Sequence, residues 1–191
     1  MQAAIDHLVA TTFAALADTL GKVTLAGAPI LRTRAVDRAI EALAGYAVGV
    51  FAAGVASRLA HGADLARATA LRGALFRSTS AAQMTAPPIA IDLDALLADD
   101  RVITPDTLRA RVGVRLHDSR ADATRIVAAL IASAASTDHV EQILAELVHA
   151  DLVATRFGDQ VERIWALLHG GTTYLAPPKA PKPAYCVAAI G

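Results

Sequence analysis

At 191 residues the chain is long enough for one domain, or two small ones, with a substantial buried core. Its 18 lysines and arginines balance 18 aspartates and glutamates, so no net charge attracts nucleic acid or an anionic membrane, and we expect neither as a partner. The single cysteine, Cys186, excludes an internal disulfide. Because no secretory pattern stands at the start either, we expect a reducing compartment and a cytoplasmic protein.

The first predicted helix covers residues 2–20 and is amphipathic. Its apolar face, at helical spacing, consists of Ile5, Leu8, Val9, Thr12, Phe13, Leu16 and Leu20. Gly21 stands where a helix ends. Gly27 and Pro29 make residues 21–32 a connector, in which we predict a short extended piece from Val23 to Leu25.

A long central helix is predicted over residues 34–61, and the rest of the chain is expected to pack around it. Residues 42–56 carry no charge, which is typical of a buried helix. Small residues form one stripe along it, namely Ala42, Gly45, Gly49, Ala53 and Ala56. We expect another helix to approach this stripe closely, because each glycine costs about 0.5 to 1 kcal/mol of helix propensity. Gly45, Gly49 and Ala53 are therefore predicted interaction residues.

A membrane span is the alternative interpretation of this helix. A span needs about 20 mostly apolar residues, and the uncharged stretch falls short of that between Glu41 and Arg58. Alanine and glycine also supply much of its apolar character and contribute little transfer free energy. We therefore expect no membrane span, although small-residue stripes also pack membrane helices together.

A third helix is predicted to start after Asp64 and to run through Arg77, which completes an N-terminal bundle over residues 1–77. Residues 78–88 have no periodicity and end in a proline pair, so they are predicted to be a linker. A second helical group then covers residues 89–171.

Capping signals mark the starts of the helices in the second group. The signals are Asp92, Thr104 with Pro105, Ser119 with Asp122, and Asp138 with Glu141. The strongest amphipathic pattern of the chain follows the last of them, at Val140, Ile143, Leu144, Leu147 and Val148. A further helix is predicted around residues 161–168, before Gly170 and Gly171.

Residues 172–191 are predicted to form an extended tail. Four prolines lie between Pro177 and Pro183, which favours a stiff polyproline conformation. Beyond this spacer the chain is apolar again, and its predicted contact residues are Tyr185, Cys186, Val187 and Ile190. The tail could fold back on its own domain or insert into a neighbouring subunit, and the sequence leaves both open.

No constellation of residues predicts catalysis or a cofactor. Glu146 and His149 form a Glu-x-x-His pair, which is one half of a di-iron ligand set, but no second such pair occurs. A metal-binding helical bundle that uses this pair is therefore a minor alternative. Cys186 has no base near it in sequence, and the glycines of the central helix lack the lysine of a phosphate loop.

A winged-helix DNA-binding regulator is the other alternative. The helix ending near His149, the turn at Gly158 and Asp159 and the following residues resemble the last helix and wing of such a domain. Against it, the presumed recognition helix is acidic, and residues 161–168 fit a helix better than a wing strand. The arginines available for phosphate contacts, Arg109, Arg111, Arg115, Arg120 and Arg125, alternate with aspartates.

The sequence therefore predicts an all-α helical bundle around a central Ala/Gly-rich helix, with a second helical group and an extended Pro-rich tail. We expect a non-catalytic, intracellular interaction or assembly protein that forms homo- or hetero-oligomers with protein partners.

Overall fold

The computed structural model describes residues 1–61, 63–84, 102–134 and 139–170, with side chains of the second range described through residue 80. Its helices are α1 (Gln2–Lys22), α2 (Arg34–Ala60), α3 (Leu65–Met84), α4 (Pro105–Asp118), α5 (Arg120–Ser133), α6 (Val140–Val148) and α7 (Ala154–His169). Two short strands, β1 (Ile30–Leu31) and β2 (Val102–Ile103), pair antiparallel. The all-α prediction is confirmed.

Side-chain caps fix where several helices begin. The Thr33 hydroxyl accepts a hydrogen bond from the Ala35 amide at the start of α2, and the Thr104 hydroxyl accepts one from the Thr107 amide at the start of α4. The Asp64 carboxylate caps α3 as predicted, by accepting from the Arg67 amide at 2.8 Å. These bonds occupy amides that the first turn of a helix leaves without a partner.

The capping box predicted at Ser119 is wrong. The Ser119 hydroxyl donates instead to the Arg115 carbonyl at 2.8 Å, so it closes the end of α4 and makes no cap for α5. The two helices follow each other without a connector, which leaves the hydroxyl nearer to the preceding turn than to the next. Asp92 and Asp138, the other predicted caps, lie outside the described residues.

Helix α2 is the centre of the core. It packs against α3, α4, α5, α6 and α7, and α1 packs against α4 to α7. Phe13 of α1 and Phe51 of α2 meet edge to face, with ring centroids 6.0 Å apart, and both rings are almost completely buried. Edge-to-face geometry places the positive rim of one ring on the negative face of the other. One hydrophobic cluster extends from Ile5 to Trp165.

The strand pair joins the two halves of the chain between their helices. Ile30 pairs with Ile103 and Leu31 pairs with Val102. The side chain of Ile103 is fully buried in the core. The predicted extended piece begins as expected, since Val23 has extended backbone (φ −62°, ψ 132°), but the strand of this connector forms later, at Ile30–Leu31. Val23 and Leu25 bury their side chains in the core directly after α1.

The C-terminal end of α7 is fastened to the connector before β1. The Trp165 indole donates to the Ala26 carbonyl at 2.8 Å, and the His169 ring contacts the Ala28 carbonyl. Gly27 between them has a φ of 121°, and a Cβ built on it would lie 2.7 Å from His169 Nε2. Glycine is required here for its conformation and for the close approach of the ring.

The segment boundaries in the middle of the chain differ from the predicted ones. Helix α3 continues to Met84, so residues 78–84 of the predicted 78–88 linker are helical, and the remainder lies outside the described residues. The alanines of this range provide helix propensity that the search for periodicity overlooked. Residues from both the 1–77 and the 89–171 ranges belong to the same hydrophobic cluster.

Phe51→Ala tests the importance of the contact at the centre of the core. We expect it to lower the free energy of unfolding by about 3–5 kcal/mol, because it removes a buried ring and leaves a cavity. Phe76→Ala is the matched control, because Phe76 is 73% exposed, and should change stability by less than about 0.5 kcal/mol. Urea unfolding followed by circular dichroism measures both. Equal losses in the two variants would contradict the structure.

Candidate interaction surface

One side of α2 faces outward and carries no charge between Glu41 and Arg58. We call this side the uncharged face, and its residues are Ala42, Gly45, Tyr46, Gly49, Val50 and Ala53, which are exposed or half-buried. Positions three and four apart in a helix lie on the same side, which is why these residues form one continuous strip. A solvent-facing helix side of this length normally carries charged residues.

The predicted neighbour on the small-residue stripe is missing from the described residues. A Cβ built on Gly45 or on Gly49 would meet nothing within 4 Å, and Ala53 is exposed. The expectation that another helix of the chain lies close against these residues is therefore wrong for the part of the chain that the structure describes. The neighbouring helices pack on the opposite side, because burying leucine, valine and phenylalanine releases far more free energy than burying alanine and glycine.

Ion pairs lie at both ends of the uncharged face. The Arg115 side chain donates to Glu41 at 2.7 Å, and this hydrogen bond raises the pKa of Arg115. At the other end Arg58 donates to Glu146, and this hydrogen bond lowers the pKa of the Glu146 carboxyl. Both pairs join α2 to a neighbouring helix. Glu41 and Arg58 are thus already engaged within the chain.

A shallow groove of about 480 Å³ opens beside the C-terminal part of the uncharged face. It lies between α2, α6 and the segment that leads into α7. Its lining residues are Gly54, Ser57, Arg58, His61, Glu146, Leu147, Ala150 and Leu152. Gly54 allows the close approach of this segment, since a Cβ built on it would lie 3.2 Å from Leu152. The groove therefore combines apolar side chains with the ion pair between Arg58 and Glu146.

The two residues of the metal-binding alternative, Glu146 and His149, line different depressions of the surface. Glu146 binds Arg58 and Gln142 and lines the groove, whereas His149 lines a different depression, beside Thr11 and Thr12 of α1. Within the described ranges, no three of the His, Cys, Asp and Glu side chains group together as metal ligands would.

The segment that the DNA-binding alternative expects to form a wing is part of a helix. Gly158 and Asp159 lie inside α7, which begins at Ala154, so no wing hairpin forms from these residues. A Cβ built on Gly158 would lie 3.2 Å from Thr19, which shows that this glycine serves the packing of α7 on α1.

Arg109, Arg115 and Arg125, which were among the arginines proposed for phosphate contacts, bind within the chain. Arg109 donates to Asp106 and to the Val23 carbonyl, and Arg125 donates to Asp122. Arg115 is held by Glu41, as described above. Pairs of this kind lower the positive charge that these side chains present to a phosphate backbone.

Sequence reasoning picked out Gly45, Gly49 and Ala53 but expected them to be covered by another helix, and it missed the groove. Arg58 and Glu146 are 88 residues apart, and neither Gly54 nor Leu152 stands in a recognisable motif. The approach of the segment before α7 to the glycine of α2 appears only once the chain is folded. The predicted contact residues Tyr185, Cys186, Val187 and Ile190 lie outside the described residues.

Helix α2 is long and apolar enough to cross a membrane by length and composition, but 56% of its most apolar window is buried inside the fold. A core helix of this kind meets the same criteria. No protein-family model matches the chain, and comparison with curated proteins and with solved structures gives no match.

Replacing the glycines of the uncharged face tests whether it is open. We expect Gly45→Ala and Gly49→Ala each to raise the free energy of unfolding by about 0.5–1 kcal/mol, because alanine is the better helix former and the added methyl group meets none of the residues that the structure describes. Gly54→Ala is the control, and its gain should be smaller because the methyl group crowds Leu152. Urea unfolding at micromolar protein concentration measures all three. A loss of stability at positions 45 and 49 would show that the face is packed.

Proposed function

We propose that this protein is a non-catalytic assembly protein that associates with copies of itself through the uncharged face of α2. The observation that carries this proposal is the space that the described residues leave open over Gly45 and Gly49, on a helix side without charge between Glu41 and Arg58. Two glycines in a solvated helix cost stability, and the close approach of a second helix offsets that cost.

The composition of the face favours a protein partner over a lipid surface. Alanine and glycine gain little free energy on transfer to hydrocarbon, whereas they allow two helix backbones to approach closely enough for extensive van der Waals contact. The bulkier Tyr46 and Val50 stand at the edge of the strip, where they can pack against the flanks of an incoming helix. A second copy presents the same surface, so two identical faces can pair about a two-fold axis.

The charges around the face also support this proposal. Glu41 and Arg58 are held in pairs with α4 and α6, so an incoming helix that packs between them does not have to desolvate either of these charges without its partner. The single cysteine suits a reducing compartment, and we place the assembly in the cytoplasm.

Size-exclusion chromatography with light scattering tests the proposal across protein concentrations from about 10 μM to 1 mM, the range in which weak self-association is populated. The wild-type mass should rise from the monomer value of 19.8 kDa as concentration increases. Gly49→Glu should hold it at the monomer value, because association would bury an unpaired carboxylate.

Gly113→Glu provides the matched control. Gly113 lies inside α4, where again no atom of the described part of the chain lies within 4 Å of a built Cβ, so this variant carries the same added charge on a different helix. It should associate like the wild type. A wild-type mass that stays at the monomer value over the whole range, or equal effects of the two variants, would refute self-association through this face.

A further inference from the structure

Helix α3 exposes the two large apolar side chains that are most open to solvent among the described residues. Leu65 is 84% exposed and Phe76 is 73% exposed. Thr69 and Arg72 are exposed between them, and steps of four, three and four residues keep all four side chains in line along the helix. We call Leu65, Thr69, Arg72 and Phe76 the α3 ridge. At about 1.5 Å per residue the ridge spans about 16 Å, or about three helical turns.

None of the helices that the structure describes covers the α3 ridge. Helix α3 packs against α2 and α5, and its buried side chains, Leu71 and Ala74, lie on the side opposite to the ridge. Thr69 in the middle of the ridge is short, so Leu65 and Phe76 project as two separate anchors. Exposed apolar side chains aligned in this way are typical of a surface that another molecule contacts.

The surface around the ridge is positively charged. Among the described helices α3 alone contains no aspartate or glutamate, and it carries Arg67, Arg72 and Arg77. Asp64, just before the helix, is engaged in capping, since it accepts the Arg67 amide at 2.8 Å. Arg72 and Arg77 form no ion pair within the described ranges, and the Arg77 Nη1 atom lies 3.1 Å from a Cβ built on Gly73 of the same helix. Both guanidinium groups are therefore available to carboxylates of another molecule.

This combination of apolar and basic groups selects the kind of partner. A second α3 is repelled, because it carries the same three arginines. A lipid surface needs a continuous apolar face along the helix, whereas the ridge has a threonine and an arginine between its two large apolar side chains. Nucleic acid phosphates engage arginines and leave the apolar side chains in water. A helix whose apolar residues are bordered by carboxylates satisfies both kinds of group.

We propose that the α3 ridge binds an acidic amphipathic helix of a protein partner. Leu65 and Phe76 insert between the apolar side chains of that helix, as knobs insert into holes. Arg72 and Arg77 pair with its carboxylates, which orients the helix along the ridge and makes the affinity depend on ionic strength. This inference goes beyond the proposed function. The ridge and the uncharged face lie on different helices, so binding of this partner holds or fails independently of self-association.

Unbiased selection on the full-length chain tests the chemistry of the partner. The probe is a displayed library of helical peptides about three heptads long, whose exposed positions are randomised to apolar, acidic and basic residues in equal proportion. We expect the enriched peptides to carry a net negative charge and apolar residues at steps of three and four. Fluorescence anisotropy with the best peptide then measures its affinity for the wild type and for each variant.

Two variants of the ridge separate its apolar and charged contributions. Leu65→Ala combined with Phe76→Ala should weaken peptide binding about 10-fold or more, because apolar anchors dominate contacts of this kind. Arg72→Glu should also weaken it about 10-fold, and by less at high salt, because it places a carboxylate opposite carboxylates.

Matched controls come from exposed residues of other helices. Val114 is 64% exposed on α4, and Arg156 is exposed on α7. Val114→Ala and Arg156→Glu repeat the chemical changes away from the ridge, and each should leave the affinity within about 2-fold of the wild-type value. All the replaced side chains are exposed, so the variants should keep the fold, which circular dichroism checks.

Enriched peptides that are neutral or basic, the absence of any enriched peptide, or an equal loss of affinity in ridge and control variants would overturn the proposal. Two further probes are phosphatidylserine vesicles and a short DNA duplex. Binding of either that depends on Phe76 and is tighter than that of the best peptide would overturn it as well.

A last variant tests whether the ridge is occupied from within the chain. Residues 89–100 contain no lysine or arginine and four aspartates, namely Asp92, Asp94, Asp99 and Asp100. Replacing all four together, as Asp92→Asn, Asp94→Asn, Asp99→Asn and Asp100→Asn, should leave the peptide affinity unchanged. An affinity that rises about 10-fold or more would show that these aspartates compete for the ridge, and the proposal of a separate partner would fail.

Discussion

The structure depends on the burial of one side of α2. Phe51, together with the leucines and valines of that side, meets helices from both halves of the sequence, and its ring contacts Phe13 of α1. The hydrophobic free energy available on this side is large, since each fully buried leucine, valine or phenylalanine contributes about 1.5–3 kcal/mol. The remaining helices are therefore arranged around it, and the opposite side of α2 is left outward.

The outward side of α2 has a composition that is unusual for a protein surface. Gly45 and Gly49 lower the helix propensity of α2 without filling any contact among the described residues. The ion pairs Glu41–Arg115 and Arg58–Glu146 fasten α2 to α4 and α6 at the two borders of the face. These pairs are partly exposed, so each contributes little stability.

The sequence predicted most of the helical architecture and only part of the surface. Local signals such as Thr33, Thr104 and the apolar spacing of α6 identify helices because they depend on neighbours within a few residues. The side of α2 that would be covered could not be predicted, since an uncharged helix has no polar side to mark its orientation. The strand pair and the groove depend on residues far apart in sequence, such as Ile30 with Ile103 and Gly54 with Leu152.

Native-state amide hydrogen exchange of α2 tests the central claim most directly. If α2 is the element around which the others pack, its central amides, such as those of Ala47 and Phe51, should exchange only through global unfolding. Their exchange free energy should then equal the free energy of unfolding measured with urea. Exchange of these amides at a distinctly lower free energy than those of α1 and α7 would contradict the account, because α2 would then open while the rest of the core stays folded.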